Sequence, residues 1–343
     1  LVRPARRGET LSALLITGGT GSLGRALVKR LLVTSNYARI VVLSRDEFKQ
    51  FAIQEEVTDP RLRFFLGDVR DLERLRLAFH GITDVIHAAA LKWVASGGYN
   101  PTEIKQTNVD GTLNVVTAAI ETGVERVVVV SSDKSVHATN IYGKSKSMAE
   151  EIAISMNAYG FPRGTKIAAV RYGNVLWSRG SVAYRFKAQK PPYRLTDRRM
   201  TRFGMRMSEA VSFILASLYR MRGGEVFVPR LPSFRVEDVA HAVYHQGRRS
   251  SDKTPIEIVG HRGGGEKVHE MLIAPEESAH AVWSDIEGCF IIEPELRSWD
   301  REPWKGEPLA EGWSYASNQN PETLSEADLI ETFSEMERPL VSV

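Results

Sequence analysis

Residues 13–32 read ALLITGGTGSLGRALVKRLL, and the fold follows from how this stretch divides. Ala13 to Gly19 is an apolar run ending in glycines, the pattern of a strand buried on both faces. From Gly21 onward Leu23, Leu27, Leu31 and Leu32 recur at a helical period. Between the two lies TGGTGSLG, with Gly18, Gly21 and Gly24 spaced G-x-x-G-x-x-G. A glycine-rich turn between strand and helix lets backbone approach a pyrophosphate, whose charge rests on the helix N-terminus. The alternative, a turn with packing duties only, leaves the register of strand, loop and helix unexplained.

The same alternation continues outward. RIVVLSR (39–45), LRFFLGD (62–68), DVIHAAA (84–90), VERVVVVSS (124–132) and KIAAVRYGNV (166–175) read as further buried strands, with helical patterns such as NVDGTLNVVTAAIETG (108–123) between them. That predicts an α/β doubly wound parallel sheet of the Rossmann type. A nucleotide-binding domain is expected over 11–180, with some later segments returning to it. A smaller C-terminal substrate-binding domain and arm are expected over 181–343. Within the latter, KAQKPPYRL reads as a loop, SEAVSFILASLYRM as a helix, and EVFVP and IEIVG as short strands. Residues 293–323 read as a polar arm following the surface. LSEADLIETFSEM reads as a last helix capped by Ser325 and Asp328.

Bulk properties narrow the class. In 343 residues, 45 Lys and Arg against 42 Asp and Glu leave a formal net charge of +3, too small and too interspersed to indicate nucleic acid. The single cysteine, Cys289, excludes an internal disulfide and a CxxC metal site. No apolar stretch reaches the roughly 20 residues of a membrane span. LVRPARRGET has arginines without a following apolar region, so no signal peptide is read there and a cytoplasmic location is expected. His261 and His269 share a segment with Glu266 and Glu270, but glycines precede them instead of a helix, and no metal site is expected.

The second strand ends in Ser44-Arg45, about 20 residues past the glycine loop, where an acid binds the ribose hydroxyls of NAD and an arginine suits the 2′-phosphate of NADP. Asp46 and Glu47 follow directly, so both cofactors stay open here, with NADP favoured. Asp68 is placed to meet the adenine, and Ala88 to Ala90 leave room beside the dinucleotide.

SSDKSVHATNIYGKSK (131–146) follows the fifth strand. Tyr142 and Lys146, four apart, share a helix face. An ammonium beside a phenol favours the phenolate and moves tyrosine toward the working range of a base. Lys144 faces elsewhere and reads as solvated. Ser132, Asp133 and Lys134 stand just upstream. With the glycine loop, the Y-x-x-x-K pair resembles the extended short-chain dehydrogenase/reductases. FFLGDVRDLERL, VIHAAALKWV, SSDK, RYGNV, MTRF, GGEVFVP and GEKVHE, in this order, are similar to the inverting UDP-N-acetylglucosamine 4,6-dehydratases.

The resemblance implies a 4,6-dehydratase that inverts C5 of UDP-N-acetylglucosamine or a related UDP-sugar. Tyr142 would take the 4-hydroxyl proton as C4 gives hydride to NADP⁺. Lys134 would take the C5 proton, Asp133 would protonate the departing 6-hydroxyl, and hydride would return to C6. Ser132 and Lys146 complete the implied catalytic set. Cofactor contacts are implied for Thr17, Gly18, Gly21, Ser22, Leu23, Gly24, Ser44, Arg45, Asp68, Val69, Ala88, Ala89, Ala90, Asn108, Tyr142 and Lys146. Asn108 would also hold the active-site helix. Sugar-nucleotide contacts are implied for Lys92, Asn174, Thr201, Arg202, Arg262 and Glu266, and a homo-oligomer, dimer or hexamer, is expected. Departures from the pattern stand at Trp93, Trp177 and Gly204; a tryptophan in place of a small residue narrows a cleft. Two other readings stand beside this one: a UDP-sugar 4-epimerase or other UDP-sugar dehydratase, and a non-catalytic NADP-binding sensor module.

Overall fold

The computed structural model describes residues 12–92, 98–178, 180–260, 265–295 and 299–337. Trp93 and Arg262 therefore lie outside the described residues.

Six parallel strands form in chain order: β1 (Ala13–Thr17), β2 (Arg39–Ser44), β3 (Leu62–Leu66), β4 (Asp84–His87), β5 (Arg126–Val130) and β6 (Lys166–Val170). They lie in the order β3-β2-β1-β4-β5-β6, so the chain reverses direction across the sheet between β1 and β4. A ligand crevice opens at such a reversal, beyond the strand C-termini. The alternation of β1 shows why both faces must be covered. Leu14 and Ile16 pack into one core with Leu27 and Leu31 of α1 (Ser22–Thr34), while Ala13 and Leu15 pack into the other with Leu75 of α3 (Leu72–Phe79). Between α1 and α3, α2 (Glu47–Glu56) follows β2.

Helix α4 (Gly111–Thr122) continues without a break from 101–104 through a π turn, Lys105–Asp110. Helix α5 (Ile141–Ser155) begins at Asn140, whose side chain accepts from the Gly143 amide at 2.9 Å.

Beyond Gly180 more of the chain is ordered into elements than the sequence suggests. Residues 187–195, expected as a loop, contain the end of α6 (Val182–Ala188) and a strand, following the short β7 (Asn174–Val175) in the numbering as β8 (Tyr193–Leu195). β9 (Thr201–Met205) and α7 (Met207–Arg220) follow, then β10 (Val226–Pro229), which joins β6 in parallel. β11 (Ser233–Arg235), α8 (Val236–His245), β12 (Ile256–Ile258) and β13 (Met271–Ile273) follow. β14 (Ala281–Ser284) and β15 (Cys289–Ile292) then extend the large sheet antiparallel from β10.

The surface arm expected over 293–323 is corrected in part. β16 (Glu307–Pro308) adds a tenth strand to the large sheet, β17 (Tyr315–Ala316) pairs with β13, and Trp304 is buried against Phe227. Aromatic burial outweighs the polar composition around it. The last helix, α9 (Glu326–Glu337), forms as expected: Ser325 N donates to Asp328 Oδ2 at 2.8 Å and the Asp328 amide reaches back to Ser325 Oγ. Leu329 and Phe333 seat it in a third core with Leu176, Phe186 and Tyr193. No helix of the described residues is long and apolar enough to cross a membrane.

Candidate active site

The cofactor wall is built at the C-terminal ends of β1, β2 and β4. Gly18 has φ +68°, and a Cβ there would stand 2.8 Å from the Ala89 backbone, so only glycine lets the loop lie against the strand that bears Ala88 to Ala90. Helix α1 opens at Gly21 with no side-chain cap and no acid in its first turn, which leaves its amides and dipole for an anion. A chain of hydrogen bonds fixes this edge from behind: Thr17 Oγ1 meets His87 Nδ1 at 2.7 Å, and His87 Nε2 meets Thr112 Oγ1 at 3.0 Å. Burial, and then the charge of Lys146, drives His87 down to about 3, so the imidazole is neutral. The cradle fits a dinucleotide pyrophosphate.

At the adenosine end Ser44 is buried and accepts from Gln50 Nε2 at 3.0 Å, an amide that also holds the Ser44 and Phe65 carbonyls. Arg45 is half exposed, 3.5 Å from Asp68. Asp46 caps α2, accepting from the Lys49 amide at 3.0 Å and pairing with the Lys49 ammonium. Asp68 itself pairs with Arg70 at 2.7 Å, and the arginines hold it below the usual carboxylate range against the opposing effect of burial. Val69 is buried.

Asn108 sits within the π turn and is 1% exposed. Its side chain accepts from Leu91 N at 2.8 Å and donates to Leu91 O at 2.9 Å and to Ser145 Oγ at 2.9 Å. These bonds tie the loop after β4 to α5, the helix Asn108 is expected to hold, and its amide is spent on the chain.

The loop of 131–136 lies across α5. Gly143 permits the approach: a Cβ there would stand 2.4 Å from the Lys134 carbonyl oxygen. Ser132 Oγ donates to Asp133 Oδ1 at 2.7 Å. Lys134 Nζ donates to the same Oδ1 at 2.9 Å and to Asn174 Oδ1 at 3.1 Å. Asp133 is fully buried, and among the described residues its Oδ2 has no hydrogen-bond partner. Ser132, Asp133, Lys134, Tyr142 and Asn174 thus meet at one point.

The electrostatic expectation for Tyr142 changes. Burial raises Tyr142, and the cation that opposes this is Lys134; Lys146 instead donates to the Val130 carbonyl at 2.5 Å, and burial lowers it to about 8 against the charge of Glu150. A lysine that serves as a base calls for a depressed pKa. Burial does push Lys134 down, but Asp133 and then Glu270 outweigh that and hold it above the ordinary lysine range. Lys144 is exposed.

The residues expected on the sugar side divide. Asn174 reaches the cluster. Thr201 Oγ1 bonds His269 Nδ1 at 2.8 Å and Ser317 Oγ at 2.7 Å. Arg202, expected at a diphosphate, is 6% exposed and spends its donors on the Thr201, Lys267 and Val268 carbonyls. It braces the wall from inside. Glu266 accepts from Thr196 Oγ1 at 2.9 Å and is exposed. Burial lowers Lys92, on the loop that Asn108 holds.

Sequence reasoning missed Glu270 and Lys267, both in the quoted GEKVHE stretch. Lys267 Nζ pairs with Glu270 Oε2 at 2.8 Å and donates to the Val136 carbonyl at 2.8 Å. It also missed Gln50, whose polar side chain on the buried face of α2 is the signal that could have found it. The expected narrowing by Trp177 is not seen. Its ring lies 4.7 Å from that of Phe333 in α9, with Lys187 Nζ at 5.2 Å. Gly204 faces Phe234, which fills the space a larger residue would need.

A Rossmann sheet with a glycine-loop cradle, Tyr142 and Lys146 on α5 and Ser132 in the loop before it is the architecture of the extended short-chain dehydrogenase/reductases. The chain belongs to the polysaccharide biosynthesis protein family, which matches residues 14–293. It is 38% identical over 338 residues to the UDP-N-acetylglucosamine 4,6-dehydratase (inverting) of Campylobacter jejuni, covering 94% of this chain and 98% of that one. It is 37% identical over 285 residues to the UDP-glucose 4-epimerase of Rickettsia felis, covering 81% and 82%. Among solved structures, Pen from Bacillus thuringiensis superposes with a TM-score of 0.85 at 31% identity, covering 95% of this chain and 98% of that one. DesIV, the dTDP-glucose 4,6-dehydratase of Streptomyces venezuelae, shares the fold at a TM-score of 0.64 and 22% identity, over 74% and 85%.

Proposed function

We propose that the chain is an inverting UDP-N-acetylglucosamine 4,6-dehydratase that works on a bound nicotinamide dinucleotide, NADP in preference to NAD. The observation that carries the reading is the Asp133–Lys134 pair beside Tyr142. Oxidation at C4 needs one base, which Tyr142 supplies; a carboxylate and an amine beyond it suit the elimination of water. The Campylobacter relative of that name supports the substrate, since the likeness spans nearly all of both chains.

A dinucleotide held against the glycine loop and Ala88 to Ala90 would supply reversible hydride acceptance, from C4 and back to C6, so the net redox change would be zero. Tyr142 takes the O4 proton, with Ser132 orienting the phenol and Lys134 favouring the phenolate. A proton moving along the 2.9 Å bond from Lys134 to Asp133 would give a neutral amine and a carboxylic acid. The amine then takes the C5 proton, made acidic by the C4 ketone, and the acid protonates the C6 hydroxyl as it leaves as water. Lys134 ends as ammonium and Asp133 as carboxylate, the state in which they began; as C6 regains hydride, C5 takes a proton from solvent on the opposite face, and Tyr142 gives the O4 proton up to solvent. The unpartnered Asp133 Oδ2 suits the substrate hydroxyl.

NADP is supported by Arg45 and Ser44 at the end of β2 and by the commitment of Asp46 to capping α2, which takes the nearest acid away from a ribose. The deciding experiment is incubation with UDP-N-acetylglucosamine in heavy water. An inverted 4-keto product lacking one water, with deuterium at C5 and a C4 label recovered at C6, is expected. A 4-epimerase, the name borne by the Rickettsia relative, would return the label to C4 and leave C5 untouched; a binding module would give no turnover.

A further inference from the structure

Glu270 is the one buried carboxylate at the cluster to which the dehydration steps give no part. It is the residue before β13, and its backbone is pinned on both sides: its amide donates to Ser317 Oγ at 3.0 Å and its carbonyl accepts from Ser317 N at 2.8 Å. Its side chain is 4% exposed and faces three cations: Lys267 at 2.8 Å, Lys134 at 3.8 Å and Arg202 at 3.9 Å. An anion that close to several cations favours their charged forms.

The Lys134 ammonium has three protons and three oxygens in front of it: Asp133 Oδ1 at 2.9 Å, Asn174 Oδ1 at 3.1 Å and Glu270 Oε1 at 3.8 Å. Asp133 comes from the same loop and Asn174 is uncharged. Glu270 is the anion contributed from across the cleft, out of a segment 136 positions further along the chain. The other charged or titratable groups facing this point are the Tyr142 phenol from α5, the Arg202 guanidinium from β9, and Lys267 from Glu270's own segment. His269 lies beyond Arg202, lowered by burial and then by Arg202 and Arg199. Lys267 donates to the Val136 carbonyl at 2.8 Å and lies 3.4 Å from that of Asp133, so the pair Glu270–Lys267 grips both the head of Lys134 and the backbone of its loop.

We propose that Glu270 is a positioning residue for this reaction: it holds Lys134 as the ammonium between turnovers and so sets the pH above which the amine is available to take the C5 proton. The role rests on the dehydratase reading. The proton balance is unchanged by it, with Lys134 passing one proton to Asp133 before accepting one from C5. Glu270 gains and loses none.

Removing the Glu270 charge takes away an anion that favours the ammonium, so the neutral amine is present at lower pH. Two readouts test it on the intact chain. In the first, lysine carrying ¹³C at Cε is incorporated, the Lys134 resonance is identified by its loss in Lys134→Arg, and its titration is followed without substrate. Glu270→Gln is expected to move the midpoint down by about one to three pH units, the range for an opposite charge at this distance. Asn174→Asp, which adds an anion at the other side of Nζ, should move it up. In the second readout, the rising limb of the pH–rate profile for C5 deuterium incorporation moves the same way in each variant. A role in structure alone would lower the rate at every pH and leave the limb in place. If Glu270→Gln fails to fold, Glu270→Asp carries the test with a smaller downward movement. Lys134 titrating alike in wild type and both Glu270 variants, in a protein that does release water from UDP-N-acetylglucosamine, overturns this proposal alone. A wild type that releases none overturns the dehydratase reading and takes this inference with it.

Discussion

The two walls of the cleft are built by different means. On the cofactor wall each residue stands within a few positions of a strand end, and the pairing of the parallel strands brings those ends together. Gly18 follows β1, Ser44 ends β2 and Ala88 follows β4. The wall proposed for the sugar draws Lys134, Asn174, Arg202, Lys267 and Glu270 from segments far apart in the chain, and joins them by ion pairs and by the hydrogen bond from Lys134 to Asn174. One wall is a backbone shape and the other an ion network. Two lysines mark the contrast: Lys146, opposed by burial and favoured by Glu150 alone, is lowered to about 8, while Lys134, between two carboxylates, is held high. Burial alone does not predict the state of a lysine; the count of opposing charges does.

The comparison breaks most readily at Lys134. Lys134→Met should permit oxidation at C4 but slow release of water by about 10²–10⁴-fold, the usual range for a positioned acid or base. Transient absorbance of the reduced cofactor followed by a stall is the expected trace; dehydration near the wild-type rate would return Lys134 to the ranks of solvated loop residues. On the opposite wall, Arg45→Ala should weaken NADP by about 1.5–3 kcal/mol, the range of a charge-assisted bond, and leave NAD unchanged. Titration calorimetry with each dinucleotide measures this, and equal losses for both would show that Arg45 does not meet a 2′-phosphate.

The third test concerns what holds the sugar wall to its outer helix. Trp177 has φ +61°, a conformation that costs a bulky residue about 1–2 kcal/mol, and it stacks on Phe333. Trp177→Ala keeps the backbone cost and loses the stack, so a loss of about 1–2 kcal/mol is expected in denaturant unfolding. Trp177→Gly loses the same ring but releases the backbone, and should cost less than the alanine. An alanine variant as stable as wild type would mean that the ring contributes no docking.

The smallest effect is one of pH. His245 Nδ1 meets Glu326 at the start of α9 at 2.6 Å; burial pushes the imidazole down, but Glu326 and the Asp252 carbonyl raise it overall. A raised folded value contributes stability that is fully present below the unfolded histidine value of about 6.5 and is lost as pH rises through the folded one. Hydrogen exchange in 326–337 should therefore quicken with pH beyond its intrinsic increase, and His245→Gln should remove that excess.

The same division explains how much was legible in the sequence. The parallel sheet, the glycine cradle and the Ser-Tyr-Lys set are written as local patterns: apolar runs, a glycine spacing, a four-residue interval. Reading Asp133 and Lys134 depends on a family likeness, which holds over nearly the whole chain. The protonation of Lys134 is not legible, because it depends on Glu270, and no spacing rule joins residues 134 and 270. The strands of the sugar wall escape notice for a related reason. β8, β9 and β13 are three to five residues long and owe their order to partners far away, as β13 does to β17. Trp304 and Tyr315 pull a polar segment inward by area buried, which composition averages away.

The π turn at Lys105–Asp110 has a consequence for inheritance. Such a turn holds one residue more than the α-helical turn it replaces. Deleting any single residue within it would leave a more regular helix, and would rotate the chain on one side of the deletion by about 100° against the chain on the other. Asn108 could not then face Leu91 and Ser145 at once. The irregularity is thus an insertion that a lineage can gain by one codon and lose only with the joint between the loop after β4 and α5, so a gap there in a sister sequence would foretell a site held together in another way.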